Sequence, residues 1–109
     1  MNNSVYVIIW EFFVLNGKER EFELHYNPAG TWGLFFKKGD GYLGTELYCD
    51  TERTGRYITI DRWISEQAYN AFYREYRDEY KTNDARCDAL TEQEKHIGSF
   101  ISEPYQFNS

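Results

Sequence analysis

Residues 56–64 alternate as a strand does, and residues 65–90 carry aromatic and apolar side chains at helical spacing. On the strand, Tyr57, Thr59, Asp61 and Trp63 share one face, and Ile58, Ile60, Arg62 and Ile64 the other. β-Branched and aromatic types suit a pleated surface. Apolar residues on both faces predict a strand covered on both sides. Ser65 is placed to cap the helix, since its hydroxyl can accept a free backbone N–H of the first turn. Beyond it, Tyr69, Tyr73, Tyr76, Tyr80, Cys87 and Leu90 fall on one stripe, with Phe72 beside them. Asn83 interrupts the stripe and predicts a bend or an early end there.

The same rules order the rest of the chain. Residues 5–15 read as a second strand with apolar groups on both faces: Val7, Ile9 and Phe13 on one, Tyr6, Ile8, Trp10, Phe12 and Val14 on the other. Asn16 with Glu19 predicts a capped helix start. That helix runs to about Tyr26 and stops before Pro28. Phe22, His25 and Tyr26 lie on its inner face. Thr31 opens a short second helix holding Trp32, Leu34, Phe35 and Phe36, which ends near the glycines at 39 and 41. Residues 42–50 form a strand in which Gly44 marks a bulge or a close backbone approach. The loop 51–55 joins it to the 56–64 strand as a hairpin. Thr91 with Glu94 is a second capping-box match and predicts a new helical turn. Residues 97–101 predict a short last strand, and residues 103–109 a tail broken by Pro104.

The order β-α-β-β-α-β predicts a single ferredoxin-like domain over 1–109, an α+β fold with an antiparallel sheet. Right-handed crossovers put the first and third strands in the centre. Those are the two strands apolar on both faces. A single helix layer covers only one face of a sheet. The other face is expected to be buried by a second copy of the chain, sheet against sheet, as a homodimer.

Composition narrows the function. At 109 residues one domain is expected, and aromatics make up 19% of it. The net charge of −6 argues against a broad nucleic-acid surface. No apolar run is long enough to span a membrane. The first residues lack the basic start and apolar segment of a signal peptide, so a cytoplasmic location is expected. Cys49 and Cys87 form neither a metal spacing nor a disulfide framework and read as plain buried thiols. Two histidines far apart offer no metal cluster, and no Gly-rich fingerprint follows a strand into a helix. No cofactor is expected.

Four further stretches carry a resemblance: Val7-Ile-Ile-Trp-Glu-Phe12, Gly17-Lys-Glu-Arg-Glu-Phe22, Gly41-Tyr-Leu-Gly-Thr-Glu-Leu47 and Arg62-Trp-Ile-Ser-Glu-Gln-Ala-Tyr69. In their order and spacing they resemble the antibiotic biosynthesis monooxygenase-like domains of the dimeric α+β barrel superfamily. The tryptophan followed by Ser-x-x-x-Tyr is the most specific piece. The resemblance implies one of two activities. One is cofactor-independent oxygenation of an electron-rich aromatic or quinol-like molecule, with Trp63 and Tyr69 at the family's tryptophan and helix-tyrosine positions. The other is haem degradation, which needs an asparagine where Trp10 stands and a histidine where Tyr73 stands. Two departures of three point away from haem.

Oxygenation without a cofactor requires a substrate that itself donates electrons to oxygen. The protein must deprotonate it, hold it flat and exclude water. The sequence offers an aromatic slot for a small aromatic molecule: Trp63, Tyr69, Phe72 and Tyr73, with Trp32 and Phe36 from the short helix. Trp63 is either the floor of that slot or plain core. His25 is the first candidate base, because it titrates near neutrality; as a half-exposed helix histidine it would do nothing. His96, beside Lys95, reads as surface. Asp61 is either a second base or the partner of Arg62 or another cation. A buried, unpaired carboxylate there would be the sharper candidate. The alternative function is a non-enzymatic ligand-binding or structural domain of the same fold.

Overall fold

In the computed structural model, which describes residues 4–103, eight elements follow one another. They are β1 (Tyr6–Val14), α1 (Glu19–Tyr26), α2 (Thr31–Phe36), β2 (Tyr42–Cys49), β3 (Arg56–Trp63), α3 (Glu66–Glu75), α4 (Arg77–Asp88) and β4 (Thr91–Ile101). The sheet is antiparallel throughout, in the order β2-β3-β1-β4. The two strands that are apolar front and back are therefore the central pair. This is the ferredoxin-like α+β arrangement, with the predicted long helix after Ser65 divided in two.

The inner face of the sheet carries Tyr6, Ile8, Phe12 and Val14 from β1 and Tyr57, Thr59, Asp61 and Trp63 from β3, all buried. Against them pack Phe22 and Tyr26 of α1, Trp32, Phe35 and Phe36 of α2, and Phe72, Cys87 and Leu90. Aromatic rings dominate this core; Phe22 and Tyr26 stack with centroids 4.1 Å apart. The outer face is only half covered. Val7, Ile9, Ile58 and Ile60 lie there among ion pairs of Arg56 with Glu11 and Asp50, and of Arg62 with Glu46.

Local chemistry explains most of the boundaries. Ser65 caps α3 as predicted, its Oγ accepting the Ala68 N–H at 3.0 Å. Gly44, at φ +138°, sits at a register shift in the β2–β3 ladder, the expected bulge. Several expectations are corrected. Asn16 caps nothing: α1 starts at Glu19, and Glu19 reaches back to the Gly17 N–H instead. The long helix breaks at Tyr76 (φ −112°, ψ 27°), not at Asn83, which is buried within α4. Phe35 packs against Phe72, Tyr76 and Tyr80 across this joint, with centroids 4.9, 6.3 and 6.2 Å away. Thr91 and Glu94 start no helical turn; they belong to β4, which runs eleven residues rather than five. A cap is worth only about 1 kcal/mol, and here pairing along β1 from Tyr6 to Val14 prevails. Cys87 is buried as expected, but Cys49 is exposed at the end of β2. Of the predicted tail, residues 104–109 lie outside the described residues, as do residues 1–3.

Candidate active site

Between the inner face of the sheet and the helices lies a slot that opens to solvent on one side. It is lined by Trp10 and Phe12 of β1, Thr45, Thr59 and Asp61 of β2 and β3, and Glu94 of β4. Tyr26, Trp32, Phe36, Tyr80 and Asp84 close it from the helix layer. Its walls enclose about 450 Å3, mouth included. It is a cleft walled largely by aromatic rings.

The alternation of β3 places Asp61 in the lining of this slot, while Arg62 turns to the outer face and pairs with Glu46. Asp61 is 8% exposed. Thr45, directly opposite on β2, donates from Oγ1 to Asp61 Oδ1 at 2.7 Å. The Tyr42 hydroxyl in turn bonds Thr45 Oγ1. Burial pushes the Asp61 carboxyl up to about 6, partly offset by the Thr45 hydrogen bond. No lysine, arginine or histidine is among the described residues lining the slot. Asp84 and Glu94 at its rim are both raised, by desolvation first and then by neighbouring carboxylates.

Trp32 and Phe36 stand in the slot wall, where the sequence placed them. The Trp32 indole N–H is buried towards the Tyr26 hydroxyl and the Cys87 thiol, without a well-aligned hydrogen bond to either. Trp63 is fully buried under the slot's end, against Phe36, Tyr42, Tyr69 and Phe72, and its indole N–H is likewise unpartnered. Phe72 is core. Tyr69 lies outside the lining but within an aromatic chain that reaches it. Centroid distances run 5.5 Å from Trp63 to Tyr69, 6.3 Å to Tyr73, 5.0 Å to Tyr80 and 5.1 Å to Trp32. Burial moves the Tyr69 hydroxyl up to about 12. His25 stands apart, on α1, with Nδ1 2.8 Å from Thr31 Oγ1. His96 is exposed, and its ring lies 5.2 Å from that of Trp10.

Of the six aromatics the sequence assigned to a slot, Trp32 and Phe36 line this one, while Trp63, Tyr69, Phe72 and Tyr73 do not; Asp61 was posed as an open question. The walls Trp10, Phe12, Tyr26 and Tyr80 and the polar groups Thr45, Thr59, Asp84 and Glu94 were not assigned to it. Asp84 lies four residues after Tyr80, on the same side of α4, which is the one signal that pointed to it. Glu94 was hidden by its place in a mistaken capping box. Among the described residues, no group of three or more His, Cys, Asp or Glu is placed to hold a metal ion.

The fold and the slot define an α+β domain of ferredoxin-like topology with an aromatic cavity between its two layers. The antibiotic biosynthesis monooxygenase family model matches residues 5–82, and the chain belongs to that family. No curated protein matches it significantly. Among solved structures it is similar to an alanine mutant of SnoaB from Streptomyces nogalater, described as a cofactor-independent oxygenase. The identity is 16%, the TM-score 0.72, and the match covers 97% of each chain. A Bordetella bronchiseptica structure named for the same family shares 17% identity at a TM-score of 0.68, covering 96% of this chain and all of that one. A conserved protein from Methanosarcina mazei shares 13% at a TM-score of 0.62, over 92% of this chain and 90% of that one. At such identities the likeness establishes the fold.

Proposed function

We propose that the protein is a cofactor-independent monooxygenase that oxidises a flat, electron-rich aromatic or quinol-like molecule in the slot between sheet and helices. The observation that carries this is the slot itself, walled by Trp32, Phe36 and Tyr80, with a buried carboxylate in its lining. Family membership and the description of SnoaB agree with it. An aromatic-walled cleft of this kind would hold a flat ring and keep bulk water off it. In the overall reaction a ring methylene and dioxygen give a ring ketone and water. One oxygen atom enters the substrate and the other leaves with both hydrogens. Trp63 supports the slot from below, Tyr69 and Tyr73 connect it to Tyr80, and Phe72 backs Trp63.

The homodimer is part of the same proposal. Val7, Ile9, Ile58 and Ile60 form an apolar strip on the outer sheet face, which no helix covers. A second copy would shield it, and a cytoplasmic setting would suit such an enzyme. No helix among the described residues is long and apolar enough to cross a membrane.

The test is oxygen uptake with 1,8-dihydroxyanthrone and a set of quinols, using wild type, Tyr69→Phe and Trp63→Phe. Uptake by wild type that falls about tenfold or more in either variant, a loss of about 1.4 kcal/mol in transition-state stabilisation, would support the proposal. No uptake with any compound, or uptake indifferent to both changes, would overturn it. A second reading, a ligand-binding domain without chemistry, is favoured by Trp63 being packed on all sides and by His25 lying away from the slot. It predicts binding of the same compounds without oxygen uptake.

A further inference from the structure

The slot's charged groups are all of one sign. Asp61 is buried in its lining, and Asp84 of α4 and Glu94 of β4, both exposed, stand near one another in the same lining. The groups that face Asp61 are the hydroxyls of Tyr42 from β2, Tyr69 from α3 and Tyr80 from α4. None is a cation. The one hydrogen bond made to Asp61 Oδ1 comes from Thr45, whose oxygen is in turn engaged by Tyr42. Trp32, 7% exposed, lines the same cavity with its ring, while its indole N–H lies towards the Tyr26 hydroxyl and the Cys87 thiol. A carboxylate that accepts, with flat aromatic walls around it, describes one kind of guest.

We propose that Asp61 is the catalytic base of the slot, and that the slot selects uncharged, flat, hydroxylated rings over ring carboxylates. This rests on the proposal that the slot is the reaction site. A neutral guest can place an acidic O–H or ring C–H against Asp61 while its flat rings lie among Trp32, Phe36 and Tyr80. Proton transfer then breaks that bond, forms O–H on Asp61 and leaves the electron pair on the ring. The site carries the same net charge before and after, because the charge moves from Asp61 to the guest. That is why a neutral guest is tolerated against the buried Asp61, with the exposed Asp84 and Glu94 carboxylates at the mouth. A guest with its own carboxylate would add a further negative charge beside Asp84 and Glu94 with no counter-ion. Dioxygen is the oxidant: the ring anion adds to it, and the peroxide anion formed takes the proton back from Asp61. The ring hydroperoxide then loses water as its remaining C–H proton leaves and the O–O bond breaks, giving the ketone. Burial holds Asp61 partly protonated near neutrality, so it can both accept and return a proton under the same conditions.

The test separates binding from chemistry. Isothermal titration calorimetry compares 2-naphthol with 6-hydroxy-2-naphthoate, the same ring carrying a carboxylate. Wild type should bind 2-naphthol at least about tenfold more tightly than the carboxylate, a gap of ~1.4 kcal/mol. In the double variant Asp84→Asn/Glu94→Gln the gap should shrink. Affinity for 2-naphthol should rise from about pH 5 to about pH 8 as Asp61 becomes a full acceptor, and this rise should vanish in Asp61→Asn. The asparagine keeps an oxygen for the Thr45 hydroxyl, and a cooperative thermal melt confirms that the variant folds. Equal affinity for both probes, no binding of either, or a pH dependence unchanged in Asp61→Asn would overturn the proposal. Expected binding without oxygen uptake from 1,8-dihydroxyanthrone would sink the oxygenase function and the base assignment, while leaving the selectivity standing.

Discussion

Thr45 Oγ1 donates to Asp61 Oδ1 at 2.7 Å across the β2–β3 ladder, from the residue directly opposite it. It is a buried polar pair in a mainly aromatic core, and the hydrogen bond partly offsets the upward push that burial gives the Asp61 carboxyl.

The first consequence concerns stability and pH. Asp61 is raised from 3.8 to about 6 on folding. The folded state therefore holds that proton more tightly than the unfolded chain between those values. This contribution to stability is fully present below about pH 4 and is lost as pH rises through about 6; integrated, it is on the order of 3 kcal/mol. Urea unfolding of wild type against Asp61→Asn from pH 4 to pH 8 checks it. The asparagine variant should gain stability relative to wild type across that range.

Thr45→Val removes the donor and leaves the buried carboxylate without it. The expected cost is about 1–3 kcal/mol above pH 7, where Asp61 is ionised, and less at pH 4, where it is not. Denaturant midpoints at the two pH values measure the difference. An equal cost at both would mean that the hydroxyl serves packing alone.

Gly39 touches the core from its edge. A Cβ there would stand 2.7 Å from Phe72 Cδ1 and 2.9 Å from Trp63 Cζ3. Both rings are packed in place, so Gly39→Ala should cost about 1–3 kcal/mol by overpacking. The tryptophan emission spectrum should shift with it, since Trp63 must move. A thermal midpoint within a degree of wild type would show that the rings yield freely.

His25 and Asp61 can be separated as bases by their positions. His25→Gln loses the bond to Thr31 Oγ1 and should cost about 1 kcal/mol. The pH profile of oxygen uptake should stay in place in that variant. A displaced profile would return His25 to the mechanism.

The outer sheet face gives a prediction about assembly. Ile60 lies at the centre of the apolar strip, paired with Ile9 on β1 and Glu46 on β2. Wild type should sediment as a dimer and Ile60→Arg as a monomer, because a charge buried without a partner costs several kcal/mol. A monomeric wild type would remove the dimer from the proposal.

Sequence alone set the element types outside the first half of β4, the central position of β1 and β3 and the Ser65 cap, and it marked Gly44 as a bulge or a close approach. These follow from local sterics and from which faces must avoid water, and both are written in neighbouring residues. It also supplied the aromatic walls, Trp32 and Phe36, and posed Asp61 as base or ion-pair partner. Only the tertiary structure answered that. β3 turns Arg62 outward to Glu46 and Asp61 inward to Thr45, and a charge's partner is set by contacts between strands distant in sequence. The same holds for Asp84 and Glu94, which meet at one slot only because α4 and β4 flank it. It holds too for β4, whose weak capping signal yields to a ladder that exists only once β1 lies beside it.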